Sequence, residues 1–189
     1  MAVLIIGLIL FLGIHSVRIF APGWRDARVA AMGEGPWKGV YTLVAIAGLV
    51  LLVWGYGLAR PEAAFFYEPP AWIKHVVALL MLLALIIFMV SQVPAGKMKP
   101  ALKHPMLLSV KIWAVAHLAA NGDLASMLLF GSFLVWAIVD RISVAKRDVP
   151  LPEEGPVMWD IVAIASGVVI YLLFVWQLHA WLFGVLPFG

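Results

Sequence analysis

The hydrophobic positions of this chain form neither the alternation of a half-buried strand nor the narrow stripe of a surface helix. They run together in long, nearly unbroken apolar stretches. A helix that is apolar all round belongs in a large core or in a membrane, and about 20 residues suffice to cross the hydrocarbon layer. The stretches cover Ala2 to Phe20, about Trp37 to Leu58, about Trp72 to Val93, about Pro105 to Ala120, Leu124 to Ile142, and Met158 to Val185. They predict an all-α fold, a polytopic transmembrane helical bundle of about six spans. The intervening Arg60–Ala71 and Val149–Pro156 stretches are rich in proline and read as loops. Residues 1–189 show no internal repeat, low-complexity tract or separate soluble domain, so they read as a single transmembrane domain. No basic residue precedes the first apolar run, which marks it as a first span rather than a signal peptide.

Charge tests that count. Arg18, Arg25, Arg28 and Lys38 flank the first loop, Lys97, Lys99, Lys103 and Lys111 the third, and Arg141, Lys146 and Arg147 the fifth. Only Arg60 and Lys74 fall on the other side. Cytoplasmic loops collect Lys and Arg, so the bias orients six spans with both termini on the outer, periplasmic side. The net charge of +3 is therefore a topology signal, and nucleic acid is not an expected partner. Tyr56, Tyr67 and several tryptophans, Trp72 and Trp181 among them, lie near span ends, where amphipathic rings anchor at the interface.

Composition agrees: 65% of residues are hydrophobic and 12% charged, which excludes a soluble globular domain. With no cysteine in the chain, disulfides, thiolate-ligated haem, c-type haem attachment and cysteine-ligated iron–sulfur clusters are excluded. Histidine is left as the expected metal ligand.

The fourth stretch carries the candidate chemistry. From Pro105 to Ala120 a helix reaches about 24 Å, short of the roughly 30 Å hydrocarbon thickness. It then breaks at Asn121-Gly122-Asp123. Backbone that leaves helix at membrane depth must be covered by protein, so this turn is expected to be buried. Polar and ionisable residues there are costly and usually kept for function.

Of the five histidines, His75 and His179 lie near outer span ends and read as interfacial. His104 precedes Pro105 at a helix start, where it is placed to meet an anionic headgroup or cap the helix. His15 lies three residues before Arg18 at the inner end of the first span. His117 lies inside the fourth, with Trp113 and Asn121 on the same face and Ala114, Ala116 and Ala120 leaving room for a close neighbour. Two neutral imidazoles from different helices can hold a haem iron. Depth permits His117 with His75 or His179; His15 with His117 is awkward by simple rise unless the fourth stretch sits lower, with Lys111 at the interface, so the residues leave the pair open.

Several motifs resemble the NnrU family: His15-Ser16-x-Arg18; Gly33-Glu34 followed by Lys38-Gly39-Val40-Tyr41; Lys103-His104-Pro105; and the run from Trp113 through His117 to Asn121-Gly122-Asp123. The likeness extends over essentially the whole chain. It implies a bacterial inner-membrane protein associated with denitrification and nitrogen-oxide metabolism. The family is similar to zeta-carotene isomerase, a membrane enzyme that depends on haem b. That relationship implies haem b as cofactor, with His15 and His117 as the iron ligands, and isomerase-like chemistry on a lipophilic small molecule. It would place Arg18, Arg25 and Arg28 beside the haem propionates, because guanidinium pairs well with carboxylate. Asn121 and Asp123 would orient the His117 ring or close the turn. The isomerase has a cysteine three residues before its second ligand; here that position is Ala114, so a ligand switch of that form has no sulfur to use.

Two other classes compete. Lys103-His104-Pro105 before a hydrophobic hairpin also resembles isoprenylcysteine and phospholipid methyltransferases, although Asp140–Asp148 matches their cofactor-binding segment poorly. A non-catalytic assembly factor with a respiratory-complex partner is the third reading. Paired repeats and matched broken helices, the marks of a transporter, are lacking. In every case the lipid bilayer is the surrounding partner.

Overall fold

The structure is a computed structural model describing residues 1–147 and 150–188. Asp148 and Val149, the end of the Asp140–Asp148 segment and the start of the expected Val149–Pro156 loop, lie outside the described residues, as does Gly189. The described residues are almost entirely helical: α1 (Ala2–Phe20), α2 (Pro22–Met32), α3 (Glu34–Ala59), α4 (Ile73–Gln92), α5 (Met98–Leu102), α6 (Pro105–Ala120), α7 (Leu124–Lys146), α8 (Met158–Leu173) and α9 (His179–Phe183). A π-helical turn, Phe174–Leu178, joins α8 to α9. Extended pairing among the described residues is limited to one antiparallel bridge, Phe65 with Asp123.

Five helical stretches are long and apolar enough to cross a membrane, while α6 is apolar but only 16 residues long. Their outer faces carry large apolar side chains: Leu43 is 70% exposed, Leu79 69% and Trp181 78%. Exposed apolar surface on this scale has no place in water. It is what lipid covers.

The chain divides into two compact units, Met1–Phe66 with Asp123–Ser132, and Tyr67–Gly122 with Phe133–Gly189. In the first, α1 and α3 run antiparallel in close contact. Leu4 lies on Gly55, Leu52 on Gly7, and Phe11 on Gly48, so each crossing has a glycine on one side. A Cβ at Gly48 would stand 2.6 Å from the Phe11 amide nitrogen. Lipid tails are as apolar as leucine, so helices in a bilayer associate through such close backbone approach rather than by hydrophobic exclusion. Gly33, with φ of 88°, makes the turn from α2 into α3, in backbone territory that other residues avoid.

In the second unit α4 packs against α6 and α8. Gly167 of α8 lies on the backbone of Ile86, and the buried Ser109 hydroxyl of α6 donates to the Ala84 carbonyl at 2.8 Å. Asp160, in the first turn of α8 and only 8% exposed, accepts from the amides of Lys97 at 2.9 Å and Met98 at 3.1 Å. A carboxylate on the N-terminus of α5 satisfies amides that a helix start leaves open.

Candidate functional site

At the Asn121-Gly122-Asp123 break, Gly122 and Asp123 are buried and Asn121 is half-buried. In the second unit α6 ends with carbonyls that have no helical partner. Asn121 Nδ2 donates to the His117 carbonyl at 2.9 Å. The Tyr67 hydroxyl donates to the Leu118 carbonyl and, at 3.0 Å, to that of Asn121. Gly122 is buried against the Tyr67 backbone, where a Cβ would overlap the carbonyl.

In the first unit Asp123, 1% exposed, opens α7. Its carboxylate accepts from the Ser126 amide at 2.9 Å and the Ser126 hydroxyl at 2.6 Å. Ser126 Oγ also lies 2.8 Å from the Tyr56 hydroxyl. The Leu124 amide donates to the Ala64 carbonyl at 2.9 Å. Asp123 is thus a helix cap fastened to α3 through Ser126 and Tyr56. The aromatic-belt reading of Tyr56 and Tyr67 does not reach the three contacts their hydroxyls make. The available signal was a tyrosine at each span end and the Asp123-x-x-Ser126 capping pattern.

The two histidines share one local geometry. His15, in the last turns of α1, holds Nδ1 2.6 Å from the Phe11 carbonyl. His117, in the last turn of α6, holds Nδ1 2.9 Å from the Trp113 carbonyl. A carbonyl only accepts, so Nδ1 carries the proton in both rings, and a neutral imidazole then has its lone pair on Nε2. Aromatic neighbours steady each ring: Phe11 at 4.3 Å and Tyr41 at 5.3 Å for His15, Trp113 at 5.4 Å for His117. Trp113 in turn stands edge-on to Phe133 at 5.3 Å.

The other candidates are placed as follows. Arg18 is exposed in the last turn of α1, where its charge complements the helix dipole. Arg25 pairs with Asp26 at 2.7 Å, and the Arg28 guanidinium sits 5.8 Å over the Trp24 ring. His179 belongs to the same unit as His117. Its Nδ1 donates to the Val185 carbonyl at 2.6 Å. His75 lies 6.5 Å from the Phe188 ring. His104 lines a cavity with Lys99 and Lys103. Burial first, and then the positive charge of Arg141, hold its imidazole below the usual histidine range. Among the described residues no group of three or more His, Cys, Asp or Glu is gathered as for a bare metal ion.

These helices and their lipid-facing surfaces define an all-α integral membrane protein. The profile of the NnrU protein family matches residues 3–187. The chain belongs to the NnrU family. No curated protein and no solved structure matches it significantly.

Proposed function

We propose that this protein binds haem b in the bacterial inner membrane, with His15 and His117 as iron ligands. In this reading the chain crosses the bilayer six times with both termini on the outer side. The observation that carries it is the pair of backbone-anchored rings. Haem iron takes the lone pair of a neutral imidazole, and ligating histidines commonly hold their other ring N–H on a carbonyl that fixes tautomer and orientation. Phe11 and Trp113 supply those carbonyls. A donor set of two such imidazoles suits haem, whose porphyrin provides the other four ligands, and it fits a chain with no cysteine.

When bound, haem b supplies one-electron redox chemistry or a Lewis-acidic iron. The protein's own residues fix the ligand rings, keep water away with the apolar helices, and hold the end of α6 by Asn121 and Tyr67. Arg18, Arg25 and Arg28 are the candidates for propionate pairing, with Asp26 and Trp24 as the partners that Arg25 and Arg28 would share or exchange. The apolar surroundings favour a lipophilic substrate or a membrane respiratory partner in nitrogen-oxide or redox physiology, with isomerase-like chemistry as the enzymatic form. The test is the absorption spectrum of protein purified from haem-supplemented cells. A Soret band at stoichiometric haem supports the proposal, and colourless, folded protein overturns it.

A further inference from the structure

The second unit holds a cavity of about 330 Å³ between the end of α4 and the start of α6, within the roughly 300–1,000 Å³ range of small-ligand sites. Its wall is of two kinds. Lys99 and Lys103 bring positive charge and His104 a ring that can donate a hydrogen bond, while Met106, Leu107 and Leu151 are apolar. Lys99 Nζ is tethered to the Val93 carbonyl at 2.5 Å, which holds its charge at this place.

Three further observations point to an anion. The helix α6 starts here with Pro105 at its first position and no side-chain cap on its amides, and a helix start favours negative charge. Arg147, within electrostatic reach of His104, bonds Asp140 through Nη2 at 3.2 Å. Its Nε and Nη1 are buried without a hydrogen-bond partner among the described residues. Lys103 is the non-glycine residue with positive φ among the described residues, at φ 61° and ψ −59°. The His104 amide closes this tight three-residue turn onto the Leu102 carbonyl at 2.6 Å. Such a turn is strained for a residue with a Cβ, and strain of this kind gathers at ligand clamps.

We infer that this cavity binds the phosphate of an anionic membrane phospholipid, with Lys103, His104 and the α6 amides on the phosphate and an acyl chain along Met106, Leu107 and Leu151. Basic pockets at the ends of membrane helices take anionic headgroups in this way. The apolar half of the wall favours a lipid over free phosphate, which needs polar partners on every side. The site is independent of the haem proposal.

The test is native mass spectrometry of the full-length, delipidated protein in neutral detergent, titrated with phosphatidylglycerol or phosphatidylcholine. Phosphatidylglycerol is expected to bind about five-fold or more tightly than phosphatidylcholine. Lys103→Gly removes the charge and relieves the positive φ, so it keeps the fold and is expected to abolish most of that preference. Lys103→Arg is expected to retain it, as is Lys38→Ala, which removes an exposed cation in the other unit. Equal binding of the two lipids, or an unchanged preference in Lys103→Gly, overturns the site. Release of the lipid by millimolar inorganic phosphate that then binds in its place overturns the lipid assignment.

Discussion

Gly48 of α3 lies against the backbone of Phe11 in α1, so close that a Cβ would stand 2.6 Å from the Phe11 amide nitrogen. Phe11 is also the residue whose carbonyl holds the His15 ring. Helix packing and the orientation of the His15 ring in the first unit therefore meet at one residue.

Substitution at this crossing is expected to be costly in proportion to its bulk. Gly48→Val should destabilise the protein by at least about 1–3 kcal/mol, the usual cost of forcing volume into a packed contact. Gly39, earlier in the same helix, has open space around it, and Gly39→Ala should be neutral or stabilising by roughly 0.5–1 kcal/mol. Thermal denaturation in detergent followed by size-exclusion chromatography compares the two.

The cap of α7 makes a second prediction. Asp123→Ala removes the acceptor of both the Ser126 amide and hydroxyl, and should cost about 1–2 kcal/mol as a lost buried N-cap. Tyr56→Phe deletes one hydroxyl bond to Ser126 and should cost less, roughly 0.5–1.5 kcal/mol. Both are read from melting temperatures, and the reverse order would contradict the network.

His104 predicts a pH dependence. Burial and the nearby Arg141 charge lower its folded-state pKa, so the folded protein prefers the neutral ring. The unfolded chain takes up the proton first as pH falls through its ordinary value of about 6.5. The neutral ring's contribution is full above that value and is lost as pH falls toward the folded pKa. Wild-type melting temperature should therefore drop between about pH 7.5 and about pH 5.5 by more than that of His104→Gln. Equal slopes would show that another group titrates.

Much of this arrangement was legible in the residues, for physical reasons. The α1 and α6 limits, Ala2–Phe20 and Pro105–Ala120, follow from mostly apolar runs ended by Ala21-Pro22 and by Asn121-Gly122. The buried turn followed from a helix too short for the bilayer. The α2 helix falls within the first loop of the hydrophobic pattern, because Pro22–Met32 is mixed in polarity and no apolar run marks it. The π-helical turn Phe174–Leu178 was hidden because an apolar run reads alike for either helical pitch. The shared Nδ1 anchoring of His15 and His117 was also out of reach, since i−4 spacing offers a carbonyl to every helical residue. Only the rotamer decides whether a ring takes it. The residues alone allow Asp123 either on the His117 ring or in the turn; its carboxylate accepts from the Ser126 amide and hydroxyl.

The ligand assignment makes the sharpest demand. Electron paramagnetic resonance of the purified, oxidised, haem-loaded protein should show the low-spin signal of iron held by two imidazoles. His15→Ala and His117→Ala should each convert it to high spin or lose the haem, while His179→Ala leaves it intact. A low-spin signal that survives His15→Ala and disappears in His179→Ala would contradict the assignment and give the iron to the histidine pair of the second unit.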